Sequence, residues 1–72
     1  MTYATPRFST VEQIERAIRH RGKWRGMHRV AVLRAASSAL DNIRKFKGID
    51  NDKYYALKVK LVKLVDEEIC RP

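Results

Sequence analysis

Between Arg19 and Arg29 the chain reads Arg-His-Arg-Gly-Lys-Trp-Arg-Gly-Met-His-Arg, and five of these eleven residues are lysine or arginine. Both histidines and the single tryptophan also lie here, with Gly22 and Gly26 bracketing Lys23-Trp24-Arg25. Cations crowded around one aromatic suit a phosphate backbone: the charges neutralise phosphates while the ring stacks on a base or packs along a sugar. Arginine fits this work better than lysine because its planar fork matches phosphate and also stacks. The expected contacts are Arg19, Arg21, Lys23, Trp24, Arg25 and Arg29, with Arg16 and Arg34 widening the patch from the flanking helices. The structural alternative for Trp24 is a ring tucked under the loop to cover the end of a thin core.

His20 and His28 could in principle serve as an acid/base pair for RNA cleavage. Nothing in the sequence orients either one, and a glycine-rich turn separates them, so they read as two exposed histidines. Two histidines without nearby Cys, Asp or Glu supply too few ligands for zinc. Asp50-Asn51-Asp52 resembles the start of a calcium loop, but the loop glycine and the bidentate glutamate are missing, so turn formation and capping account for it. With no glycine-rich phosphate loop, no dinucleotide fingerprint and no nucleophile beside a base, the sequence predicts neither an enzyme nor a cofactor. Cys70 is the only cysteine, which rules out an internal disulfide and fits a reducing, cytoplasmic setting.

The elements that hold the basic stretch follow from periodicity. Residues 1–8 read as a short arm, since Pro6 biases Thr5 away from helix. A single domain of three helices then fills 9–72. Ser9 and Glu12 form a candidate capping box, and Val11, Ile14, Ala17 and Ile18 give a first helix over 9–21 that Gly22 would stop. Val32, Ala36, Ala39, Leu40, Ile43 and Phe46 set a second helix over 27–47, closed by Gly48 in the left-handed conformation with Ile49 folding back. A third helix is expected over 52–70, although Tyr55, Leu57, Val59 and Leu61 also alternate as a half-buried strand would. The fold class is therefore all-α: a compact three-helix domain with a basic loop between its first two helices.

Seventy-two residues carry 16 Lys plus Arg against 8 Asp plus Glu, a formal charge of +8. The surplus is uneven: residues 1–36 hold eight basic and two acidic side chains, residues 37–72 eight and six. That asymmetry favours an anionic partner, nucleic acid first. The rival reading is a small interaction protein, a regulator or inhibitor, whose basic face docks on an acidic protein surface. The wide apolar arc of the third helix offers a second surface, through Tyr54, Lys58, Leu61, Val62 and Ile69, suited to pairing with another copy or docking on a protein. A helix-turn-helix fits poorly, because the first connection is too long and the third helix has no Arg, Asn or Gln to read base edges. No apolar run approaches the roughly 20 residues that span a bilayer, so no membrane partner is expected.

Overall fold

The computed structural model describes residues 7–70, which form helix α1 (Val11–Arg19), a short 3-10 turn (Arg21–Lys23), helix α2 (Gly26–Phe46) and helix α3 (Asn51–Cys70). Helix α2 packs against both of the others. Its buried face is Val30, Val32, Leu33, Ala36, Leu40 and Ile43; Ile14 and Ile18 of α1 and Tyr54 and Leu61 of α3 close the core around it. The region 54–62 is continuous helix, so the alternating pattern there does not become a strand. A strand would have needed a pairing partner, and α2 offers only an apolar helix face. No helix among the described residues is long and apolar enough to cross a membrane.

Several boundaries move from their sequence-based positions for identifiable reasons. Thr10, not Ser9, caps α1: its hydroxyl accepts from the Gln13 amide at 3.3 Å, and Gln13 Oε1 accepts from the Ser9 amide at 2.6 Å and the Thr10 amide at 3.3 Å. Closing the box with Gln13 satisfies both of those amides at once, and Glu12 stays in the first turn, where the helix dipole favours a carboxylate. At the other end α1 stops at Arg19, two residues early, and Gly22 is not its terminator. The His20 amide bonds the Arg16 carbonyl at 2.9 Å, and Arg21 Nη1 caps the Ile18 carbonyl at 2.7 Å, so the chain tightens into the 3-10 turn. Gly26 and Gly48 are the two described glycines with positive φ, at 55° and 84°. Gly48 ends α2 as expected, its amide bonding the Ile43 carbonyl at 2.8 Å while Ile49 packs on the core.

Phe46, which periodicity places in the buried stripe of α2, is instead 76% exposed. It is the last residue of the helix, one turn past Ile43, where the core ends. Val30 and Leu33 take the burial that the stripe leaves out, because a central helix must be apolar on two flanks. Outside the core, polar bridges lock the helices together. Tyr54 Oη donates to Asp41 Oδ1 at 2.6 Å, and Lys58 Nζ reaches Asp41 Oδ2 at 3.0 Å and Ser37 Oγ at 2.7 Å. The Arg44 guanidinium lies 4.5 Å from the Tyr54 ring centroid. Lys53 pairs with Glu15 of α1 at 3.4 Å, and Lys47 Nζ donates to the Ser9 carbonyl at 3.0 Å.

Two residues expected on a partner surface are thereby corrected. Leu61 is fully buried and Tyr54 nearly so, because α3 turns that row onto α2. Truncating Leu61 to Ala should lower the unfolding free energy by about 2–5 kcal/mol. The same change at its half-exposed neighbour Val62 should cost under about 0.5 kcal/mol. Urea denaturation of the two variants checks the contrast.

The hydrogen bonds from Tyr54 and Lys58 hold the Asp41 carboxyl below the usual aspartate range. A depressed folded-state pKa means that the contribution to stability is present above the unfolded value and disappears as pH falls through the folded one. Asp41→Asn should therefore be less stable than the native chain at neutral pH, with the gap closing below about pH 4. Urea midpoints of the two proteins across an acid pH series measure it.

Candidate nucleic-acid interface

The basic stretch is built by the backbone before any partner is present. Lys23 N bonds the His20 carbonyl at 3.0 Å and Trp24 N the Arg21 carbonyl at 3.2 Å, which closes the 3-10 turn. Arg25 is extended, and Gly26 adopts its positive φ to start α2. Arg29 then reaches back from the first turn of α2. Its Nε donates to both the Trp24 carbonyl at 2.8 Å and the Arg21 carbonyl at 3.0 Å, while Nη1 pairs with Glu68 Oε2 of α3 at 3.0 Å. Both partners of that ion pair are largely buried, at 18% and 11% side-chain exposure.

Arg29 is thus a fastener whose guanidinium is spent inside the fold, and Glu68 belongs to the same brace. Arg21 is partly spent as well, on the Ile18 carbonyl. Trp24 is half-buried, with the His28 ring edge-on at 6.5 Å between centroids. The ring lines an open cleft and is not among the side chains packed on the core.

That cleft has a volume of about 720 Å³ and lies between α1 and the 3-10 turn. Arg16, Arg19, Lys23 and Trp24, all expected from the sequence, line it together. Arg7, Phe8, Gln13 and His20 join them, and no carboxylate is among the described lining residues. Sequence reasoning misses Arg7 and Phe8 because they fall in the stretch that reads as an arm; Phe8 packs against the core and brings Arg7 to the cleft rim. The available signal is Phe8 itself, an apolar residue just before a helix start that can staple back onto it. Residues 1–6, the rest of that arm, lie outside the described residues.

Arg25 is exposed on the loop but does not line the cleft. Arg34 is placed elsewhere altogether, in a groove with Ser37, Val62, Val65 and Asp66 between α2 and α3. Lys58, expected on a partner surface, is held by Ser37 and Asp41. Among the described residues no group of three His, Cys, Asp or Glu side chains could hold a metal ion. Comparison with protein-family models, curated proteins and solved structures finds no match to this chain.

Removing the fastener should loosen the loop specifically. Arg29→Ala leaves the Trp24 carbonyl and the mostly buried Glu68 carboxylate without this donor, while the Arg21 carbonyl keeps the Trp24 amide, at a cost of about 1–3 kcal/mol. The Lys23 and Trp24 amides should then exchange hydrogen faster than amides in the middle of α2. Arg29→Lys should rescue little, because an ammonium lacks the fork that reaches the loop and α3 together. Hydrogen exchange resolved by residue checks both statements.

Proposed function

We propose that this chain is a non-enzymatic, cytoplasmic protein that binds nucleic acid chiefly through the phosphate backbone. The observation that carries the reading is the cleft between α1 and the loop. There Arg7, Arg16, Arg19 and Lys23 gather around Phe8 and Trp24, with no carboxylate among the described lining residues to cancel their field. Four like charges sharing one concave surface repel each other, and an anionic ligand with regularly spaced charges relieves that repulsion along its length. The aromatic walls add a sequence-tolerant surface for a base or sugar. The exposed Arg25 and the N-terminus of α2, which has no side-chain cap, extend the positive rim past the cleft.

Trp24 is the only tryptophan and lines the cleft, so its fluorescence reports binding directly. Titration with short single-stranded and duplex RNA and DNA should give saturable quenching. The logarithm of the binding constant should fall linearly with the logarithm of salt concentration. Arg16→Ala, Arg19→Ala and Lys23→Ala should each reduce the steepness of that line by about 0.7–0.9. Lys60→Ala, on the exposed face of α3, should leave it nearly unchanged. No quenching by any of these strands at low salt overturns the proposal and favours an acidic protein surface as the partner.

A further inference from the structure

Helix α3 carries two apolar rows. One, Tyr54, Leu57, Leu61, Leu64 and Val65, packs into the core. The other is Tyr55, Val59, Val62 and Ile69, exposed to 56%, 64%, 47% and 52% of their surfaces. Spacings of four, three and seven residues place these four side chains on one line, with Asp66 at the remaining position of the heptad pattern. The row runs beside α2, where Val62, Val65 and Asp66 form a groove with Arg34 and Ser37. We propose that this row is a self-association face, on which α3 of a second copy lies antiparallel.

Charge identifies a second copy as the occupant. The chain carries +8, so two molecules repel over most orientations. Helix α3 is the exception: its four lysines, Lys53, Lys58, Lys60 and Lys63, match its four carboxylates, Asp52, Asp66, Glu67 and Glu68. These charges are also segregated, since all four lysines precede Leu64 while Asp66, Glu67 and Glu68 follow it. A parallel pair would set like charges side by side. An antiparallel pair sets the cationic part of each helix against the acidic end of the other. Val62 is the midpoint of the row, so the twofold axis passes there. Asp66 of each copy then falls toward the Lys58–Lys63 stretch of the other. Lys58 is already bonded to its own Ser37 and Asp41, so Lys63 is the cation that Asp66 meets, and all three share one surface with Val59 and Val62.

The contact is small. The row from Tyr55 to Ile69 is about 21 Å long at the rise of an α-helix. A single helix row of that length is expected to bury less than the roughly 800 Å² per partner of a standard interface, so the expected dimer is weak. The proposal is independent of the cleft, since none of these residues lines it.

Sedimentation equilibrium without nucleic acid, over a rising concentration series, should show a reversible monomer–dimer equilibrium. Val62→Glu sets two carboxylates near the axis and should weaken it by about tenfold or more. Far-UV circular dichroism should be unchanged, because Val62 is half-exposed. Asp66→Lys and Lys63→Glu should each weaken the dimer, and the double variant should recover part of the loss. Orientation is read by cross-linking. Tyr55→Cys lies about 22 Å along α3 from Cys70 of its own chain, too far for a disulfide. In an antiparallel pair it falls beside Cys70 of the other copy, so oxidation should yield a dimer linked 55 to 70. A monomer at every concentration, a dimer indifferent to Val62→Glu, or a Tyr55→Cys chain that links only 55 to 55 or 70 to 70 would overturn the proposal.

Discussion

The architecture depends on one arginine that spends its charge inward. A loop that holds Arg21, Lys23 and Arg25 just after Arg19 of α1 has little reason to stay compact, because every added cation pushes its neighbours apart. Arg29 counters this by donating to two loop carbonyls and to Glu68, so that the loop, α2 and α3 share a single guanidinium. Its mostly buried setting makes these bonds worth more than a surface ion pair, and leaving any acceptor unmet would be costly. The remaining cations are then held at a fixed spacing by a loop that the inward bonds keep closed.

The same logic of inward polar bonds recurs at the other end of the α2–α3 contact. Asp41 is half-exposed, yet it accepts from Tyr54 and Lys58 together. A 72-residue chain buries a limited share of its surface, and its core of aliphatic side chains plus Tyr54 is correspondingly thin. Directional bonds at the margins fix how α3 is rotated on α2. That rotation decides which apolar row of α3 enters the core and which stays outside.

The three helices are legible in the sequence because their signals are local: a capping residue, a repeat of apolar positions, and Gly48 as a left-handed stop. The rotation of α3 is not. Its sequence has apolar residues over nearly half the helix surface. Periodicity gives Tyr54, Leu57, Leu61, Leu64 and Val65 as the stripe that packs inward, but does not say where the arc passes from core to surface, so Tyr54 and Leu61 also fall among the candidate partner contacts. Long-range bonds such as Tyr54 and Lys58 to Asp41 and Arg29 to Glu68 fix which row faces inward. The site is legible in the same proportion. Arg16, Arg19, Lys23 and Trp24 share the cleft as their proximity in sequence suggests, but that Arg29 is a fastener depends on Glu68, 39 residues away. Arg34 escapes the patch for a related reason: being on α2 says nothing about which flank of α2 it occupies.

The charges fall into two groups with opposite consequences. Outside α3 the chain holds the whole +8 surplus, and among the described residues the cleft lining collects four of those cations. Within α3 positive and negative side chains balance, and its spare apolar row lies along that neutral helix. A cationic face that would repel its own kind and a neutral apolar row are physically compatible only when they are separated, and the cleft and the α3 row share no residue. If two copies join through α3 as proposed, both clefts remain open, and a polyanion bound as proposed would meet them as a pair, with an affinity that grows with the effective concentration of the second site and not with any new contact.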